Sequence, residues 1–135
     1  MFFTKYLALH STGWYTYLKP EDRAGVVVNT QFHKGVVEMC VLALVAKQDF
    51  YGYELVNAIS TQIPISEGTI YPILRRLTQE GHFETYLVES SGGPPRKYYR
   101  MTKSGRAFTQ GLTEEWTSFT TSVDNIINSP KRRGV

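Results

Sequence analysis

A mainly α-helical fold with one small β-hairpin, an α+β class, is predicted by three features of the sequence. Residues 66–80 and 108–127 carry apolar side chains at helical spacing. Residues 36–45 are apolar almost throughout, as in a helix buried on more than one side. Between the two periodic stretches, residues 82–101 switch to β-type residues around one cluster, Gly92-Gly93-Pro94-Pro95. The length of 135 residues suits a single domain. A hydrophobic fraction of 41% supports a real core and excludes a wholly disordered chain. The single cysteine, Cys40, excludes a disulfide scaffold. No apolar run approaches the ~18–20 residues of a membrane span.

The elements follow in order. Residues 1–31 are rich in aromatics (Phe2, Phe3, Tyr6, Trp14, Tyr15, Tyr17) and are broken by Gly13 and Lys19-Pro20-Glu21-Asp22-Arg23. They are read as an extension of unknown role in which any helix is short. Lys5 interrupts the first apolar run, so no secretory signal is read and the cytoplasm is the expected compartment. The first helix is expected from about Phe32 to Lys47. Its all-round apolar surface leaves one side for a partner subunit. Asp49 is expected to cap a second helix, Tyr51 to about Gln62, with Leu55, Val56 and Ile59 buried. Ile63-Pro64-Ile65 stops that helix.

Ser66 is a suitable N-cap for a third helix running to about Glu80, and Gly81 supplies its stop. Ile70, Ile73, Leu74 and Leu77 form its buried face. Gly68, Pro72, Arg75 and Gln79 form the opposite one. Gly68 and Pro72 weaken a helix by ~1 and ~3 kcal/mol relative to Ala. A helix start this small suits close approach to a bulky partner. Strands are expected at His82–Glu89 and Arg96–Met101, joined by an extended Gly/Pro tip, and Thr102 caps the last helix. Helix, helix, helix, hairpin, helix is the layout of a winged helix-turn-helix, here residues 32–106. A dimerisation helix, 107–128, and a basic tail, 129–135, follow it.

In the last helix, Leu112, Trp116, Phe119, Val123 and Ile126 recur at steps of four and three, the seam of a coiled-coil-like contact. The residues between them are mostly Thr and Ser, poor helix formers, so packing must hold the helix. Residues 107–128 carry Glu114, Glu115 and Asp124 with no Lys or Arg. A segment of that sign avoids phosphates, and a homodimer seam is preferred over a helix folded back on its own domain. The positive charge sits elsewhere. Arg75, Arg76, Arg96, Lys97, Arg100, Lys103 and Arg106 lie against three glutamates within residues 75–106. That places it on the third helix, the hairpin and the start of the last helix, the surfaces a winged helix presents to double-stranded DNA.

At this point the residues resemble a known family. Tyr51-Gly52-Tyr53-Glu54-Leu55, then Ser66-Glu67-Gly68-Thr69-Ile70-Tyr71-Pro72-Ile73-Leu74-Arg75-Arg76-Leu77, then Pro95-Arg96-Lys97-Tyr98-Tyr99-Arg100-Met101-Thr102 resemble the PadR family of bacterial transcriptional regulators. The likeness covers residues 33–128 and is to the short subgroup with a single C-terminal helix. It implies a homodimer on an inverted-repeat operator, usually a repressor. It also implies Ser66, Thr69, Tyr71 and Arg75 on the recognition helix and Arg96 and Lys97 on the wing. Arg76 is added to the DNA-contacting set on charge. Some short members resembling this chain hold flat hydrophobic compounds between their subunits. Trp116 and Phe119 are therefore candidates for binding a small hydrophobic or aromatic effector.

Two other functions are weighed. His10, His33 and His82 are scattered, and no nucleophile or metal-ligand spacing is present, so neither an enzyme nor a cofactor is expected. A winged helix serving only protein interaction would not need Arg75, Arg76, Arg96 and Lys97 on one footprint.

Overall fold

The computed structural model describes Tyr15–Tyr17, Val27–Asn29 and residues 35–132. Two three-residue strands, β1 (Tyr15–Tyr17) and β2 (Val27–Asn29), pair antiparallel with Tyr15 opposite Asn29. The described part of the N-terminal segment is therefore strand, not short helix. Phe2, Phe3, Tyr6, Trp14 and the expected helix start at residues 32–34 lie outside the described residues.

Helix α1 spans Val36–Val45, β3 Phe50–Tyr51, α2 Gly52–Ser60 and α3 Glu67–Gln79. Strands β4 (Phe83–Ser90) and β5 (Gly93–Met101) form the hairpin, and α4 spans Lys103–Ile127. No helix among the described residues is long and apolar enough to cross a membrane. One core joins them all. Val41 and Leu42 of α1, Leu55 of α2, and Ile70, Leu74 and Leu77 of α3 are fully buried, and Phe83, Tyr99 and Met101 close the core from the sheet. Ile73, expected on the buried face of α3, packs at its edge and is only half-buried. On α1, Val36, Cys40 and Leu44 are half-buried, so one side of this apolar helix is incompletely covered. Burial pushes the Cys40 thiol pKa up, away from reactivity.

Three local expectations are corrected. Asp49 does not cap α2. The N-cap is Tyr51, whose backbone N–H donates to Glu54 Oε2 at 3.3 Å. Asp49 instead accepts from Tyr86 Oη at 2.6 Å and Arg100 Nε at 3.1 Å, tying the α1–α2 junction to the wing. Second, Phe50 and Tyr51 pair with Tyr99 and Tyr98, which makes a three-stranded sheet of order β3-β5-β4. Third, the wing tip is tight. Ser90 faces Gly93 across the two residues Ser91 and Gly92, and Gly92 has φ 81°, where an L side chain would be strained. Pro94 and Pro95 belong to β5. The shift in register between Val88 and Ser90 sets both prolines against Glu89 in a bulge, where their missing N–H groups are tolerated.

Helix α4 is a single piece from Thr102 onward. Thr102 Oγ1 accepts from the Gly105 N–H at 3.0 Å and donates to the Gly81 carbonyl at 2.7 Å. Gly105 is buried against the wing base. A Cβ there would run into the His82 carbonyl and Met101 Sδ, so this close approach requires glycine. His82 stacks on Phe108 at 4.3 Å between ring centres, and Arg106 Nη1 donates to the Ala46 carbonyl at the end of α1. The many threonines are accommodated by bonding back. Thr109, Thr113, Thr117 and Thr121 each donate to the carbonyl four residues earlier at 2.8–3.0 Å.

Candidate nucleic-acid interface

Helix α3 presents Glu67, Gly68, Thr69, Tyr71, Pro72 and Arg75 to solvent, with Ser66 at its N-cap. Ser66 Oγ lies 3.4 Å from Thr69 Oγ1, so the two hydroxyls pair with each other rather than with the backbone. Pro72 cannot donate to the Gly68 carbonyl, and Gly68 is exposed. The α3 surface thus keeps unused polar groups beside a nearly side-chain-free patch.

Tyr71 lies across the start of α2. A Cβ on Gly52 would come within 2.6 Å of its ring, so glycine at 52 lets α2 and α3 approach this closely. Burial, with Glu67 and Tyr51 nearby, pushes the Tyr71 hydroxyl pKa above the ordinary tyrosine value. A tyrosine hydroxyl, neutral near physiological pH, can donate a hydrogen bond. Tyr71 and Arg75 of α3 and Lys97 of β5 line one open cleft of about 510 Å³. Tyr51, Gly52 and Tyr53 at the start of α2 also line it. Two cations and a neutral phenol facing one open cleft suit an anionic strand such as a phosphate backbone.

The two basic wing residues do not share this cleft. Side chains alternate along a strand, so Lys97 lies on the face of Tyr99 and Met101, while Arg96 lies on the face of Tyr98 and Arg100. Arg96 sits 4.8 Å over the Tyr51 ring. Tyr51, Tyr98 and Tyr86 then form a row across the sheet, with 5.5 Å between successive ring centres. Arg100 closes the row 4.5 Å over Tyr86. Arg76 is engaged elsewhere, bonded to Glu38 of α1 and 3.7 Å from Glu80. Of the residues singled out by sequence, Tyr71, Arg75 and Lys97 come together. Ser66 and Thr69 lie at the head of the same helix, and Arg76 and Arg96 turn away. Gly52 and Tyr53 also line the cleft, although the sequence singles them out only within the Tyr51–Leu55 motif. The lack of a side chain at 52, next to a helix start, was the available signal for close packing.

At the far end of the molecule the apolar stripe of α4 is largely open. Leu112 and Val123 are half-buried, while Trp116, Phe119 and Ile126 are 38%, 60% and 74% exposed. Trp116 and Phe119, 6.5 Å apart, line a groove of about 550 Å³ together with Val36 and Met39 of α1.

Residues 41–111 match the model of the transcriptional regulator PadR-like family. A PadR-like transcriptional regulator from Bacillus cereus has a similar structure, with 36% identity, a TM-score of 0.68 and coverage of 74% of this chain and 99% of that one. A Streptococcus transcriptional regulator is 34% identical, with a TM-score of 0.67 and coverage of 74% and 100%. A curated but uncharacterized protein of Lysinibacillus sphaericus is 32% identical over 102 residues, 73% of this chain and 94% of that protein.

Proposed function

Since the chain belongs to the PadR-like family of transcriptional regulators, DNA-binding proteins rather than enzymes, we propose that it is a homodimeric repressor of an inverted-repeat operator. The winged helix-turn-helix of residues 32–106 reads DNA, and the helix within 107–128 joins the subunits. The observation that carries this reading is the single cleft lined by both Arg75 and Lys97 beside the exposed surface of α3. Ser66, Thr69, Tyr71 and Arg75 enter the major groove, and Lys97 holds the phosphate strand beside it. Arg96 and Arg76 have a different part in this proposal. Arg96 steadies the wing through Tyr51, and Arg76 holds α3 to α1. The dimer rests on the apolar seam left open along α4 and on the half-covered side of α1. Two-fold symmetry of the protein then requires two half-sites about one DNA turn apart, ~34–36 Å. Selection of bound DNA from a random pool tests this. An inverted repeat with that spacing is expected, and a lone half-site or no enriched sequence would contradict it.

The groove at Trp116 and Phe119 supports a second part of the proposal, a planar hydrophobic effector held there. A ligand in the seam alters the spacing of the two heads only if it binds one spacing better, so its affinity and the operator's are coupled reciprocally, typically by ~1–3 kcal/mol. Fluorescence of Trp116 in a Trp14→Phe background, titrated with planar aromatic compounds, should give different affinities with and without operator. Equal affinities would make the compound a passenger.

A further inference from the structure

Leu87 is 67% exposed on the outer half of the wing. It stands directly opposite Lys97 in the β4–β5 register. The two side chains therefore share the wing face that turns inward to the core at Phe83 and Tyr99, the face on which Lys97 lines the cleft. Leu87 lies four residues beyond Phe83, about 13 Å farther out along the strand, past anything it can pack on. A lone exposed leucine needs no explanation by itself. This one is carried on a stiffened prong. The tip is a two-residue turn, Pro94 and Pro95 fix the backbone of the returning strand, and Ser90 Oγ donates to the Pro94 carbonyl at 2.8 Å. Lys97 stands opposite it on the same face, Arg96 lies one step farther out on the other face, and Glu89 is the single carboxylate from residue 85 to residue 97. A rigid apolar side chain set directly beside Lys97 on one face, continuous with the cleft that Lys97 and Arg75 line, fits a polyanion that has an apolar interior.

We infer that Leu87 reads the DNA minor groove next to the major groove occupied by α3, and so sets a sequence preference at base pairs that α3 does not touch. This rests on the DNA-reading arrangement proposed above. With α3 in the major groove and Lys97 on the bordering phosphate strand, the wing beyond Lys97 crosses that strand into the adjacent minor groove. The minor-groove edges of A·T and T·A pairs present only acceptors, whereas a G·C pair adds the guanine N2 amino donor. A leucine laid on that floor would bury the donor without a partner, which is unfavourable. The expected preference is for A·T over G·C beneath Leu87.

The test uses the full-length chain and an operator selected from a random pool. Placing G·C at the wing-facing pairs should weaken wild-type binding about ten-fold, within the range of a single mismatch. Replacing that guanine with inosine, which lacks only the N2 amino group and leaves the major-groove edge intact, should restore binding. Leu87→Ser should be indifferent among A·T, G·C and inosine·C, while keeping wild-type salt dependence and wild-type loss of affinity when the α3-read pairs are changed. Retained guanine–inosine discrimination in Leu87→Ser, or none in the wild type, would overturn the role of Leu87 and leave α3 reading intact. Failure to enrich any operator would overturn the DNA-reading arrangement and this inference with it.

Discussion

A chain carrying Phe119→Glu and Val123→Glu will sediment as a monomer and will lose its high-affinity hold on the operator. Both positions lie on the outer part of α4, a helix of 25 residues and so about 37 Å long. Its base is fixed by Thr102, Gly105 and Arg106, all far from the substitutions. Phe119 is 60% exposed in the single chain, so a glutamate there is solvated in the monomer and the fold survives. In the proposed two-fold dimer each substitution occurs twice, and four carboxylates must enter a seam that has Glu115 beside it. Leaving a charge buried and unpaired costs about 3–5 kcal/mol, and several such charges exceed what a seam of this size supplies. Unlinking the heads then removes the effective-concentration advantage of two half-sites, which can reach about 10²–10⁴ in avidity. Circular dichroism should remain that of the folded chain. A stable dimer in sedimentation would show that α4 is not the seam.

Much of this architecture was legible because it is written in local pattern. The buried face of α3, its Ser66 start and its stop at Gly81 follow from spacing and end residues alone, and Gly81 has φ 83°. The strands of the wing and the Thr102 cap follow from equally local signals. What was hidden depends on partners distant in sequence. Strand β3 is two residues long and exists because Tyr98 and Tyr99 pair with it. Asp49 resembles a helix cap, but Tyr86 and Arg100, thirty-seven and fifty-one residues away, compete for its carboxylate. Arg76 looks like one more cation on a basic helix until Glu38 of α1 is placed against it.

In the candidate interface, the separation of Arg96 from Lys97 could have been read from strand alternation, since neighbours on a strand face opposite ways. The clustering of basic residues in sequence obscured it. The partners packed against Gly52 and Gly105 were not legible. A glycine does not say which ring or carbonyl will occupy its missing side chain.

In the proposed complex α3 reads sequence while the wing face bearing Lys97 grips the backbone. The two roles differ in their dependence on sequence and on salt. Arg75 stands on the exposed face of α3, and a bidentate contact from an arginine to a guanine edge is worth about 1–3 kcal/mol of discrimination. Arg75→Ala should lose that much on the operator, up to about 150-fold, and should relax the preference at one base pair. Lys97→Ala should weaken operator and unrelated DNA alike. It should also reduce the slope of log affinity against log salt by about one, the mark of a lost phosphate contact. The deciding measurement is the binding of wild type, Arg75→Ala and Lys97→Ala to operator and to scrambled DNA across a salt series. A sequence-selective loss in Arg75→Ala, with a uniform, salt-flattening loss in Lys97→Ala, is the predicted result. Equal operator affinity in all three proteins would contradict it.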